Sequence, residues 1–227
     1  MPQIPDKSID MILCDLPYGT TACKWDSIIS FEFLWKQYNM IIKDNGAIVL
    51  TASQPFTSSL VMSNPKMFKY EWIWDKRMTT NFAMAKKQPL RNHENILVFY
   101  NSQCVYNYQL NNDNTLKPFG VIRGGPSDVC GNLGDKKNTG VGYPKTIITY
   151  PRPNNLNRDG NLHPTQKPVP LLEYLIKTYT NEGNLVLDNC MGSGSTGVAC
   201  KNLGRDFIGM ELDEKYFEIA KNRIDGI

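Results

Sequence analysis

The stretch "VLDNCMGSGSTGVA", residues 186–199, decides the fold. Its first residues are apolar and β-branched, as in a buried strand. Its last open a helical pattern that stops at Gly204. Gly192, Gly194 and Gly197 between them satisfy G-x-G-x-x-G. Glycines at that junction allow a tight turn and a close backbone approach to a ligand, next to the free N–H groups of a helix start. A further strand, "DFIGME", ends on Glu211, where an acidic side chain can accept ribose hydroxyls. Strand, glycine loop, helix, strand and glutamate together point to an adenosine-bearing cofactor. A phosphate-binding P-loop needs Gly-Lys-Ser/Thr, and this loop reads Gly-Ser-Thr, which disfavours ATP hydrolysis. Only sixteen residues follow Glu211, so the rest of the sheet is expected from the preceding chain, in a circularly permuted order.

Working outward, apolar runs alternate with helical periods. "IDMILCD" (9–15), "AIVLTA" (47–52), "YEWIWDK" (70–76), "ENILVFY" (94–100) and "NLVLD" (184–188) read as strands. Helices are expected over 31–43, stopped by Asn45-Gly46, over 55–63, 168–180 and 195–204, and over 213–224. Continuous apolar strands separated by helices predict an α/β, Rossmann-like, mostly parallel sheet with helices on both faces.

The chain has 227 residues, enough for one domain with an insertion, and a net charge of +3. No stretch has the length of a membrane span or the apolar core of a signal peptide, so a cytoplasmic protein is expected. The six cysteines form no Cys-x-x-Cys pair and only two histidines are present, so neither structural zinc nor a disulfide framework is expected. His93, just before a strand, reads as structural, and Trp72 and Trp74 as core or cleft wall. Trp25 reads equally well as core or as a neighbour of the site.

Residues 101–162 differ from the rest. They are rich in Asn, Gly and Pro, and the segment to His163 holds seven cations against four carboxylates, a surplus equal to the charge of the whole chain. A loop of that length inside a compact domain is usually functional. Arg123, Lys136, Lys137, Arg152 and Arg158 are its candidates for nucleic-acid phosphates. A solvated basic loop is the alternative, at even odds on this segment alone.

"DLPYG" (15–19) ends the first strand with a carboxylate, a proline and a tyrosine. Alone it reads best as a turn. Beside the glycine loop it resembles the Asp-Pro-Pro-Tyr catalytic motif of amino-group DNA methyltransferases. "LDNCMGSGSTGVA" resembles their cofactor loop, "HPTQKPVPLLEYLI" (163–176) the helix segment before it, and "FIGMELDEKYFEIAKNRI" (207–224) the unit after it. The order, catalytic then variable then cofactor, is that of the beta class. The resemblance implies a catalytic half over 1–100, a target-recognition insertion over 101–162 and a cofactor half over 163–227. It implies S-adenosyl-L-methionine as cofactor and double-stranded DNA as partner, and leaves open a homodimer and a companion restriction endonuclease. By analogy Glu211 binds the ribose. Asp188, Cys190, Gly192, Ser193, Gly194, Ser195 and Thr196 surround the methionine end, and Lys167 borders that pocket.

Two departures carry expectations. Leu16 stands where the family has proline. Similar members start with a further strand bearing a Gly-Asp-Cys-like motif, whereas Met1 falls inside that region, which predicts a missing strand beside the adenine. The expected chemistry uses a flipped base. Asp15 accepts one N–H of the adenine N6 amine, the backbone C=O of Leu16 accepts the other, Pro17 aims that carbonyl and Tyr18 stacks on the ring. N4-cytosine transfer, a truncated DNA-binding remnant and a nicotinamide-dependent oxidoreductase stay open as alternatives.

Overall fold

The computed structural model describes residues 1, 3–19, 26–110, 121–122, 126–127, 131–132, 136–137, 142–153 and 166–226. In chain order the elements begin with β1 (Ile9–Asp15), α1 (Phe31–Ile41), β2 (Ile42–Ala52), α2 (Phe56–Ser63), β3 (Phe68–Thr80) and β4 (Arg91–Phe99). Four two-residue strands follow, β5 (Val121–Ile122), β6 (Pro126–Ser127), β7 (Gly131–Asn132) and β8 (Lys136–Lys137). The chain continues with β9 (Ile147–Thr149), α3 (Val169–Tyr179), β10 (Leu185–Asp188), α4 (Ser195–Asn202), β11 (Asp206–Gly209) and α5 (Glu214–Asp225).

The chain divides into two compact units, Met1–Asn107 with Thr146–Ile227, and Tyr108–Lys145. The larger unit is built on a seven-stranded sheet in the order β11-β10-β1-β2-β4-β3-β9. The pairs β11–β10, β10–β1, β1–β2 and β3–β9 are parallel, and β4 runs antiparallel to both its neighbours. The smaller unit holds two nested antiparallel ladders, β5–β8 and β6–β7.

Alternation along the strands sorts the core into two layers. Ile12, Cys14, Ile48, Leu50, Leu97 and Phe99 face α1 and α2, where Leu34, Trp35, Tyr38 and Leu60 meet them. Met11, Leu13, Val49, Ile96, Val98 and Val186 face Leu171, Leu172, Leu175 and Ile176 of α3, with Ala199 and Cys200 of α4. Both faces of the central strands are therefore covered, which is why they read as continuous apolar runs.

Two local expectations differ. Asn45-Gly46 does not stop a helix: α1 ends at Ile41, and β2 runs from Ile42 through that pair to Ala52. The register jumps from Ile9↔Ile42 to Met11↔Ala47, a bulge that absorbs the polar turn-like residues. Ile147–Thr149, inside the irregular-looking region, is a strand of the main sheet paired with Ile73, Trp74 and Asp75. Three residues are too few to show a period. Among the described residues no helix is long and apolar enough to cross a membrane.

Candidate active site

The strands β1, β2, β10 and β11 all end at one edge of the sheet. There the chain leaves β1 toward β2 and leaves β10 toward β11, so a crevice opens between the diverging connections. A cavity of about 530 Å³ occupies it, within the usual range for small-molecule sites. Its walls include Asp15, Leu16, Pro17 and Tyr18, then Cys190, Gly192 and Glu211, and on the far side Trp74, Lys76, Arg91, His93 and Arg152.

Asp15, the last residue of β1, is held on both carboxylate oxygens. Tyr18 donates its hydroxyl to Oδ1 at 2.8 Å, and Thr51, its register partner on β2, donates to the same atom. Lys167 Nζ donates to Oδ2 at 2.5 Å. A carboxylate offers about four lone-pair sites, so one on Oδ2 is left for a further donor. Leu16 is 3% exposed, packs in the core and also lines the cavity. The Tyr18 ring stacks on Phe56, with centroids 5.2 Å apart and planes at 29°, so one of its faces is already covered. Burial, then the Asp15 charge, pushes the Tyr18 phenol well up, and it stays a donor.

Lys167 lines the same cavity as Cys190, Gly192 and Glu211, and its ammonium is bound to the Asp15 carboxylate. Its ammonium also lies 3.5 Å from Glu94 of β4, and Glu94 in turn pairs with Lys76 of β3. An alternating chain Asp15–Lys167–Glu94–Lys76 therefore runs through the cavity wall, with two anions and two cations in balance. Burial acts to lower Lys167, but the Asp15 and Glu94 carboxylates outweigh it and hold the ammonium above its usual value. Burial acts to raise Glu94, but Lys167 and Lys76 outweigh it and hold the carboxyl below its usual value. Burial lowers Lys76 in spite of Glu94. Thr51, Lys76 and Glu94 carried no signal in the sequence. Only the pairing of three strands and the segment before α3 brings them to one point.

The glycine loop divides into wall and scaffold. Cys190 and Gly192 line the cavity, whereas Asp188, Ser193, Gly194, Ser195 and Thr196 do not. Asp188, expected at the methionine end, lies 3% exposed behind the loop and accepts from Thr196 Oγ1 at 2.6 Å and Cys190 N at 3.0 Å. Arg223 of α5 donates to the Ser193 and Ser195 hydroxyls at 3.1 and 3.4 Å. Gly194 has φ 79°, and a Cβ there would lie 2.8 Å from the Ala220 Cβ. At Gly197 a Cβ would lie 2.7 Å from Phe207 Cε1. These two glycines serve the packing of α4 against α5 and β11.

Burial pushes the Asp188 carboxyl up to about 6, against the bonds from Thr196 and Cys190 that lower it. The folded state thus holds this proton more tightly than the unfolded chain, whose carboxylate titrates near ~3.9. Its contribution to stability is complete below that value and is lost as pH rises through about 6. Unfolding free energies measured by denaturant across that window should fall more steeply with pH for the wild type than for Asp188→Asn. Parallel curves would refute the assignment.

Glu211 lines the cavity with its carboxylate aimed by three backbone donors. Gly192 N gives to Oε2, and Leu212 N and Asp213 N give to Oε1, each at 2.9 Å. By the same lone-pair count, Oε2 keeps one acceptor site.

Of the basic candidates, Arg152 lines the cavity. Lys136 and Lys137 form the backbone of β8, their side chains not being described, and Arg123, Arg158 and Trp25 lie outside the described residues. His93, expected to be structural, is exposed and lines the cavity, because the β4 end that bears it projects past the core. Trp74 is both core and cavity wall, and donates to the Tyr150 C=O at 2.8 Å. Burial pushes the thiols of Cys104 and Cys200 up to about 11 and about 12, so neither is a ready nucleophile.

Fold and cavity define a Rossmann-like enzyme scaffold with a half-buried, lysine-held aspartate facing a glycine-loop ligand pocket. The N6/N4 DNA methylase family model matches residues 9–222, and the chain belongs to that family. It is 27% identical over 235 residues to the type II methyltransferase M.HpaI of Haemophilus parainfluenzae, covering 98% of this chain and 70% of that protein. It is 27% identical to the DNA adenine methyltransferase YhdJ of Escherichia coli (strain K12), covering 98% of this chain and 78% of that one. The crystal structure of the M1.HpyAVI–SAM complex superposes with a TM-score of 0.65 at 26% identity, covering 96% of this chain and 89% of that one.

Proposed function

We propose that this chain is a site-specific DNA methyltransferase that transfers a methyl group from S-adenosylmethionine to the N6 amine of an adenine flipped out of duplex DNA. One observation carries the reading: the Asp15 carboxylate, held by Lys167, Tyr18 and Thr51, keeps one acceptor site beside the backbone of Leu16 in the cavity. Two acceptors on one amino group draw it toward tetrahedral geometry and release its lone pair from the ring. Lys167, Tyr18 and Thr51 fix the orientation of Asp15, whose carboxylate stabilises the positive charge that develops on the amine nitrogen. Glu94 balances Lys167, so the ammonium does not oppose that charge. Pro17 borders the same space, and Tyr18 offers its remaining face to the base.

The pocket fits the cofactor on two grounds. Glu211 has an acceptor site for the ribose, and the lining holds an acidic side at Glu211 and Asp213 as well as the basic Arg91 and Arg152. When bound, S-adenosylmethionine supplies an electrophilic sulfonium methyl, and its positive charge suits the acidic side. The two arginines suit DNA. Gly192 and Cys190 border the cofactor, while Asp188, Ser193, Gly194, Ser195 and Thr196 shape the loop from behind. Glu211→Ala should weaken S-adenosylmethionine binding by about 10–100-fold in calorimetry, the loss expected for hydrogen bonds to a charged group. An unchanged dissociation constant would place the cofactor elsewhere.

In this reading residues 1–100 and 163–227 supply the catalytic and cofactor halves and residues 101–162 supply target recognition, with Arg123, Lys136, Lys137, Arg152 and Arg158 as its candidates for DNA phosphates. A homodimer and a companion restriction endonuclease belong to the same proposal. The test is to incubate the chain with S-adenosylmethionine and unmethylated genomic DNA and sequence single molecules. N6-methyladenine at one recurrent sequence is expected. N4-methylcytosine would overturn the choice of base, and DNA bound without any modified base would indicate a non-catalytic remnant.

A further inference from the structure

The hairpin of β3 and β4 projects from the sheet beside the cavity. From Lys76 to His93 it carries five cations, Lys76, Arg77, Lys86, Lys87 and Arg91, and no carboxylate. The sequence scatters them over two strands and a turn, where no cluster is evident; antiparallel pairing gathers them on one element. Between the pairs Asp75↔His93 and Thr80↔Arg91, four residues of β3 stand against one of β4. This bulge sends Lys76 inward onto Glu94 and leaves Arg77 and Met78 outside. Arg77, Lys86, Lys87 and Arg91 are exposed. Among them stand two large apolar side chains facing water, Phe82 at 68% and Met78 at 54% exposure. The base of the hairpin is continuous with the site, since Lys76, Thr80, Arg91 and His93 line the cavity.

Cations without counter-charge match a phosphate backbone, and an apolar side chain raised among them matches the stacked interior of a duplex. We propose that this hairpin is the element that grips DNA at the target base. Arg77, Lys86, Lys87 and Arg91 meet the phosphates flanking the flipped nucleotide, and Phe82 enters the stack that the base has left. A base displaced there lies beside the cavity that Thr80, Arg91 and His93 line together with Asp15. The proposal rests on the methyltransferase reading for the flipped base, but its charge half stands on the hairpin alone.

The test uses the full chain and a fluorescein-labelled duplex of random sequence, with binding followed by anisotropy over a potassium chloride series. The triple variant Arg77→Gln/Lys86→Gln/Lys87→Gln, which spares every cavity residue, should lower the slope of log K against log salt by roughly 0.9 per lost phosphate contact. Its dissociation constant for S-adenosylmethionine should not change. A slope and affinity equal to wild type would overturn the proposal. Phe82→Ala should keep the salt slope and lose turnover on genomic DNA, with Phe82→Trp restoring it; unchanged turnover would remove the wedge. If the wild type transfers no methyl yet the slope difference appears, the hairpin stands and the enzymatic reading falls. A wild type that binds no DNA overturns both.

Discussion

Asp15→Ala is expected to abolish methyl transfer, with a loss of at least ~10²–10³-fold in kcat, the scale for removing one group aimed at developing charge. S-adenosylmethionine binding should survive, because the Glu211 carboxylate is held by Gly192, Leu212 and Asp213 N–H groups and not by Asp15. The substitution also leaves Lys167 with Glu94 alone and deprives Tyr18 and Thr51 of their shared acceptor. Asp15→Asn separates these effects, since it keeps the shape and removes the charge that Lys167 holds in place. Leu16→Pro is the companion experiment. Leu16 packs in the core, and in the proposed mechanism it acts through its carbonyl alone, so turnover should change little. A dead Leu16→Pro beside an active Asp15→Ala would sink the assignment of roles.

Glu94→Ala is expected to have the second-largest effect, on stability and turnover together. Glu94 stands between two buried cations, with Lys167 and Lys76 side chains 9% and 10% exposed. Removing the shared anion leaves the Lys76 ammonium without its partner and Lys167 with Asp15 alone, a loss of about 3–5 kcal/mol for breaking a buried pair. For a chain of this size that corresponds to a melting temperature lower by roughly 6–20 °C. Turnover should fall as well, although Glu94 is a positioning residue, because Lys167 would then lean fully on Asp15 and oppose the charge that develops on the amine. A double-mutant cycle of Glu94→Gln with Lys167→Met should be non-additive in kcat. Additive losses with an unmoved melting temperature would show that the chain of charges does not reach Asp15.

Much of the main unit was legible because its signals are local. The strands β1, β10 and the central part of β2 are covered on both faces, so they appear as unbroken apolar runs. Gly204 ends the pattern of α4 as expected, and Asp213 caps α5 through its side chain. What misled was chemistry with two uses. Asn45-Gly46 carries a turn signal, yet pairing with β1 absorbs it as a bulge. In sequence Lys167 has no visible link to Asp15, which the path of the chain before α3 brings within hydrogen-bond distance.

By itself the sequence determined the α/β class, the permuted order and the two anchor carboxylates, Asp15 and Glu211. Each follows from a period or motif confined to a few neighbouring residues. Only the tertiary structure decided which glycine-loop residues face the cavity and which support it. It alone joined Asp15, Lys167, Glu94 and Lys76 into one charge-balanced chain, and gathered the hairpin cations into one surface. The charge-balanced chain depends on contacts between residues 18 to 152 positions apart, and charge leaves no periodic trace along a chain from which such a contact could be read.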